Sequence, residues 1–185
     1  RNIDNNIEIN QLVTPDYNFS NYFFDCNLND GSSLLKLESF LSGFIKNDIF
    51  QNTSSYSLKV FFPQNDSVDK FTISIKNYTA NDIFTDVINE LSQSGFDAVA
   101  SCNFNSNLFN GLNLYNYTDK KQNISNNAEI LRCSYKPGFN YGTFRISMDR
   151  LIGKMNQLKI QYGIEYFQEE SNSKKFIWIN YFYEE

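Results

Sequence analysis

Alternating apolar and polar positions predict two neighbouring β-strands in the middle of the chain. In residues 58–62 every second side chain is apolar, so these side chains share one side of a strand. Pro63 and the polar residues after it predict a turn, and residues 71–75 then alternate again. The two runs together predict a β-hairpin.

Directly after the second strand, the spacing of apolar residues changes to that of an α-helix. Residues 79–82, Thr-Ala-Asn-Asp, have the composition of a helix start, with aspartate in place of the usual glutamate. The apolar residues that follow form one helical stripe: Ile83, Phe84, Val87, Ile88 and Leu91. Gly95 predicts the end of this helix. An amphipathic helix at this place would cover one side of the hairpin.

Looser patterns extend the predicted sheet. Residues 111–117 alternate as a strand, residues 126–131 predict a short connecting turn, and residues 143–147 predict a closing strand. With the hairpin and its helix, these elements predict an α+β fold over residues 56–147. The expected architecture is a ubiquitin-like β-grasp, a mixed sheet with one packed helix.

Two flanking segments complete the predicted organisation. Residues 1–55 are interpreted as an N-terminal arm that is polar at first and then contains a helix, capped by Ser33 and ending near Asn47. Residues 148–185 predict a helix-strand-strand extension, with strands around residues 163–167 and 175–183. Both faces of the last strand are apolar, so we expect it to be buried.

The composition suits a packed protein that has no general affinity for polyanions. Of the 185 residues, 41% are apolar and 17% aromatic, which is enough for one good core. The net charge of −5 gives no general attraction to nucleic acid or to an anionic membrane. No apolar run approaches the length of a membrane span. We therefore expect neither a nucleic-acid partner nor a membrane span.

The sequence offers few candidates for catalytic chemistry. It contains no histidine, the commonest general base and metal ligand, which excludes Ser-His-Asp and Cys-His mechanisms. Asp82, Asp86 and Glu90 lie at helical spacing, but no basic or nucleophilic group accompanies them, so they are interpreted as a solvated helix face. We therefore expect no catalytic residue, no metal, no cofactor and no enzymatic activity.

The cysteines and glycosylation sequons bear on the cellular location. The three cysteines are far apart and show no CxxC spacing, so a reduced cytoplasmic chain is the simplest expectation, with one disulfide and one free thiol as the alternative. Six Asn-x-Ser/Thr sequons barely exceed what an Asn-rich chain supplies by chance, and they leave a secreted or cell-surface protein open. Glycans at Asn77 or Asn116 would exclude the cytoplasmic location.

Three consecutive segments resemble the opening of Ras-association and Ras-binding domains. They are SLKVFF at residues 57–62, FTISI at residues 71–75 and YTANDIFTDVINEL at residues 78–91. The resemblance implies a ubiquitin-like fold in which the second strand has an exposed edge that pairs with a strand of a small GTPase. Basic side chains beside that edge would meet the acidic surface of the GTPase.

The resemblance places a set of partner-binding residues on the outward side of the hairpin: Lys59, Lys70, Thr72, Ser74 and Lys76. A solvated sheet face with protective edge lysines is the simpler alternative. The predicted function is therefore a non-catalytic protein-binding module that docks a small GTPase or a similar signalling partner by β-edge pairing. The alternative from another class is a secreted or cell-surface, glycosylated, β-rich adhesion or structural protein.

Overall fold

The chain forms two compact units. The computed structural model describes residues 15–46, 56–64, 69–79, 84–118 and 127–183. Unit A comprises the described residues of 18–111 and 167–171, and unit B those of 15–17, 112–166 and 172–183. Each unit is assembled from segments distant in sequence, so this division does not follow the predicted domain boundaries at residues 55/56 and 147/148.

Unit A contains a β-α-β-β-α-β succession. Its elements are β1 (Phe19–Leu28), α1 (Leu34–Phe44), β2 (Tyr56–Phe61), β3 (Lys70–Asn77), α2 (Phe84–Gln93) and β4 (Ala100–Cys102), with a short 3-10 turn at Phe96–Ala98. Strand β3 lies between β2 and β1, and β4 also pairs with β1. This order is the split β-α-β arrangement of ferredoxin-like domains.

Strand β1 overturns the predicted β-grasp. It lies in the segment interpreted as a polar arm, and it pairs antiparallel with β3 from Ser20 opposite Asn77 to Asn27 opposite Lys70. The predicted hairpin of β2 and β3 is confirmed. However, β3 is a central strand, because β1 occupies the edge at which a partner strand was expected to dock. The fold prediction was therefore wrong at the N-terminal arm.

Helices α1 and α2 cover one face of the unit A sheet. Their apolar stripes pack on alternate residues of β1 and β3, and the buried core includes Phe24, Leu37, Ile73, Val87 and Leu91. Ser33 caps α1 as predicted, since its Oγ accepts a hydrogen bond of 3.3 Å from the backbone nitrogen of Lys36. Most of the predicted cap of α2, residues 80–82, lies outside the described residues.

One disulfide ties the last short strand of unit A to the first. It joins Cys26 of β1 to Cys102 of β4, which are opposite each other in the antiparallel register. Cys133 is a free thiol. The arrangement is thus the alternative of one bridge and one free cysteine rather than a fully reduced chain. The cellular location stays a prediction.

Unit B repeats part of the topology of unit A. It contains β5 (Leu108–Tyr117) from Leu112 onwards, β6 (Asn127–Ser134), α3 (Tyr141–Leu158), β7 (Tyr162–Glu169) up to Tyr166, and β8 (Lys175–Phe182). The strand order is β5-β7-β8-β6. Strand β8 lies between β6 and β7, as β3 lies between β1 and β2, although no sequence repeat accompanies this similarity.

Helix α3 replaces the predicted closing strand. Residues 143–147 form part of its first turns, and residues 127–131, predicted as a turn, belong to β6. The helix begins at a capping box in which Asn140 and Thr143 each accept a 3.1 Å hydrogen bond from the other's backbone nitrogen. The last two predicted strands are confirmed as β7 and β8. In the described parts of the chain, no helix has the length and hydropathy needed to cross a bilayer.

Candidate ligand-binding site

The five residues predicted to bind a partner do not form one accessible surface. Lys70 is exposed, whereas Lys59 and Thr72 are half-buried on neighbouring strands. Thr72 Oγ1 donates a 3.1 Å hydrogen bond to Asp25 on β1. A partner contact by these three side chains stays a prediction that the geometry does not test.

Ser74 and Lys76 are buried, contrary to their predicted outward orientation. Ser74 Oγ donates a 2.8 Å hydrogen bond to Asn21 Oδ1. The Nζ atom of Lys76 lies 4.5 Å from the ring centroid of Phe19 and 5.6 Å from that of Phe167. The side of β3 that carries Ser74 and Lys76 therefore faces a second layer of unit A, which is aromatic. The strand is buried on both faces at these positions.

Unit B contains a cavity of about 320 Å³ beside the start of α3. Its walls come from the end of β6, the loop that follows, the first two turns of α3 and the start of β8. The lining residues are Ser134, Tyr135, Lys136, Phe139, Thr143, Phe144, Ser147 and Phe176. None of these residues was predicted to belong to a site. This volume is at the lower end of the range typical of small-molecule pockets.

A tight turn shapes the mouth of this cavity. The backbone nitrogen of Phe139 donates a 3.0 Å hydrogen bond to the carbonyl oxygen of Lys136, and Gly138 between them has a φ of 83°. Pro137 and Gly138 suit the second and third positions of this turn. Proline is favoured at the second position, and glycine tolerates the positive φ at the third. The turn leaves the Phe139 ring 62% exposed beside the cavity.

Aromatic rings form much of the cavity wall. The rings of Tyr135 and Phe176 stack with centroids 4.7 Å apart. The Phe144 ring contacts both, at centroid distances of 5.9 and 5.5 Å. Trp178, the only tryptophan in the chain, lies 5.7 Å from Phe144. Rings in this arrangement offer apolar area to a flat molecule with little loss of side-chain freedom.

Four tyrosines with raised pKa values lie in this wall or pack against it. Burial, with smaller contributions from the phenols of Tyr141 and Tyr135, raises the pKa of Tyr17 to about 12. Burial likewise raises the pKa of Tyr135, Tyr141 and Tyr166. The hydroxyls of Tyr135 and Tyr166 are 3.0 Å apart. At neutral pH these phenols keep their protons, so they form hydrogen bonds but do not act as bases.

The polar groups around the cavity are hydroxyls and one ammonium. Lys136 is the one charged residue among the eight that line it. Among the described residues, no group of three or more cysteine, aspartate or glutamate side chains is placed to hold a metal ion. The lining is therefore suited to an organic molecule, because it lacks the carboxylates and thiolates that metal ions prefer.

Comparisons with known proteins identify the fold but not a family. No protein-family model and no curated protein matches the chain. A solved structure named "Putative chlorite dismutase" is 12% identical, with a TM-score of 0.55, and the match covers 90% of this chain and 80% of that one. A "Putative monooxygenase" from Fusobacterium nucleatum is 14% identical, with a TM-score of 0.56, over 91% of this chain and 77% of that one.

At such low identity, the likeness shows the fold alone. Neither neighbour is a Ras-association domain, and the match extends over nearly the whole chain. The predicted Ras-association family and its docking to a small GTPase are therefore wrong, and the likeness does not favour the adhesion or structural alternative either. The enzyme names of the two neighbours conflict only weakly with the expectation that this chain is not an enzyme.

Proposed function

We propose that unit B binds a small, flat, largely apolar molecule in the cavity at the start of α3 and holds it without chemical change. The observation that carries this proposal is the cavity of about 320 Å³ lined by four aromatic side chains, Tyr135, Phe139, Phe144 and Phe176. A concave, mainly apolar pocket with a few polar groups is the usual form of a small-molecule site.

The exposed ring of Phe139 provides a driving force for binding. A phenylalanine that is 62% exposed leaves apolar area in contact with water. A flat ligand that covers this ring and contacts Phe144 removes that area from water, which contributes about 25 cal/mol for each Å² buried. The hydroxyls of Ser134 and Ser147 would then fix the orientation of the polar atoms of the ligand.

The side chains around the cavity support binding rather than catalysis. The chain has no histidine to serve as a general base near neutral pH. The phenols of Tyr135 and Tyr166 have raised pKa values, so they stay protonated in that range. At 12% and 14% identity, the activities named for the two structural neighbours do not transfer to these residues.

Filling the cavity should weaken binding strongly. Ser147 is exposed on α3 and lines the cavity, so in Ser147→Phe the new ring should occupy the space of the ligand. We expect naphthoate or naphthamide, as test ligands, to bind the native protein in a one-to-one complex and to bind Ser147→Phe at least about tenfold more weakly. Titration calorimetry measures the affinity, and Trp178 fluorescence reports on the same ring cluster.

Ile146→Phe is the matched control for this test. Ile146 is the neighbouring residue on α3, is 61% exposed and does not line the cavity, so this variant should bind like the native protein. Failure of both test ligands to bind the native protein, or equal loss in both variants, would contradict the proposed site. Recovery of a chemically altered ligand by mass spectrometry would contradict binding without catalysis.

A further inference from the structure

We infer that the ligand of this cavity is an aromatic carboxylate, held by its ring against the aromatic wall and by its charge at Lys136. This inference rests on the proposed function, and it adds the chemical class of the ligand. The inference is based on the charged residue and the hydroxyl groups that line the cavity. A neutral apolar ligand would not need these groups for binding.

Among the described residues, Lys136 is a cation without a counter-charge. It is exposed at the mouth of the cavity, and its ammonium group forms no ion pair or hydrogen bond with any residue that the structure describes. The seven other lining residues carry no charge. An anionic group on the ligand would therefore meet one positive charge and no negative charge within the cavity lining.

Two residues with hydroxyl groups line the same cavity as Lys136. The side chains of Ser134 and Ser147 line the cavity, and neither has a hydrogen-bond partner among the described residues. Thr143 differs, because its hydroxyl is engaged in the capping box with Asn140. Two hydroxyl donors and an ammonium that line one cavity suit the two oxygens of a carboxylate, which only accept hydrogen bonds.

The start of α3 adds a weaker attraction of the same sign. The helix is 18 residues long, and Thr143 in its first turn lines the cavity. The amino end of a helix favours negative charge, although the effect is confined to the first turn and is reduced by salt. Because the whole chain has a net charge of −5, affinity for an anion would have to come from this local arrangement rather than from a general attraction.

The ring requirement comes from the shape of the wall. Tyr135 stacks on Phe176, Phe139 is exposed, and all three rings line the cavity, so a ligand in it would meet mainly aromatic surface. An aromatic acid fits both the ring surfaces and the charge. A fatty acid carries the same charge on a flexible chain, and it loses more conformational freedom on binding.

The test compares naphthoate, naphthamide and octanoate. Naphthoate and naphthamide share the ring and differ in charge, whereas octanoate keeps the charge without the ring. We expect the native protein to bind naphthoate about threefold to fivefold more tightly than naphthamide at low salt, as for one exposed ion pair. Added sodium chloride should reduce this preference, and octanoate should bind more weakly than naphthoate.

Two lysine variants locate the charge effect. In Lys136→Gln the ratio of naphthoate affinity to naphthamide affinity should fall to about one. Lys154→Gln makes the same change of charge on α3 outside the cavity lining, and it should keep the preference. A circular-dichroism melt checks that both variants fold like the native protein.

The outcomes separate this inference from the proposed function. Equal affinity for naphthoate and naphthamide, with both blocked by Ser147→Phe, would contradict the preference for a carboxylate. The proposed small-molecule site would still stand. If octanoate bound as tightly as naphthoate, the requirement for an aromatic ring would be contradicted. Binding of none of the three compounds would overturn the proposed function and this inference together.

Discussion

At the scale of single residues, burial decides the chemistry of side chains that look ordinary in sequence. Lys76 and Ser74 follow the outward phase of an alternating strand, but both are buried in unit A. Tyr17, Tyr135 and Tyr166 of unit B look like ordinary polar aromatic residues in sequence, and burial raises their pKa values in the fold. In both cases the neighbours that matter are distant along the chain.

The raised pKa of Tyr17 predicts a loss of stability in alkali. The unfolded phenol loses its proton near pH 10 and the folded one near pH 12. Between these values the unfolded state binds fewer protons than the folded state, so the free energy of unfolding should fall as pH rises through this window. Urea unfolding at a series of pH values from about 9 to 11.5 measures this fall.

Tyr17→Phe is the control for this alkaline effect, because phenylalanine keeps the ring and has no proton to lose. Its free energy of unfolding should fall less steeply with pH than that of the native protein. The remaining slope would come from the other phenols and from lysines, which titrate in the same range. Identical slopes for the two proteins would contradict the assignment of a raised pKa to Tyr17.

At the scale of elements, capping and turn residues predicted where helices begin and end. Short alternating runs were less useful, because they did not distinguish a helix from a strand. Ser33 marks the start of α1, because it caps that helix. Gly95 marks the turn after α2, because it takes a positive φ of 89°. Residues 143–147 alternate like a strand, yet they belong to α3. Five residues are too few to separate the two periods, and the capping box at Asn140 settles the conformation.

The disulfide should contribute strongly to the stability of unit A. It links Cys26 to Cys102 across a sequence separation of 76 residues, and a bridge over a long loop restricts the unfolded chain. We expect Cys26→Ala/Cys102→Ala to lower the free energy of unfolding by about 2–4 kcal/mol. Equilibrium unfolding in urea measures the difference.

The free thiol provides the control for the disulfide. Cys133→Ser leaves the bridge intact and changes a half-buried residue of β6, so it should have a much smaller effect on the free energy of unfolding. A reducing agent should destabilise the native protein and leave the double alanine variant unchanged. Equal stability of the native protein with and without reductant would show that the bridge does not contribute.

At the scale of the whole molecule, the strand order excludes the function that the sequence suggested. The hairpin of β2 and β3 exists as predicted, but β1 pairs along β3 and removes its edge. The N-terminal segment was interpreted as an arm because its apolar residues show no simple period. Strand β1 has buried residues on both faces, including the neighbouring Phe23 and Phe24, and such a strand does not alternate.

Hydrogen exchange tests this strand order directly. A central strand has partners on both sides, so consecutive amides of Lys70–Asn77 should exchange slowly. In the described sheet, Tyr56–Phe61 pairs only with β3, so only alternate amides should be protected there. Exchange followed by NMR measures both strands in one sample. Alternate protection in both strands would contradict the pairing of β1 with β3.

The sequence by itself determined the local elements: the hairpin, the helices α1 and α2, and the last two strands. These depend on spacing, caps and turn residues, which act between residues close along the chain. Tertiary structure decided which strand lies beside β3, which side of β3 is buried, and which rings and hydroxyls line the cavity with Lys136. Those outcomes depend on pairing and packing between distant segments, and a single sequence carries no local signal for them.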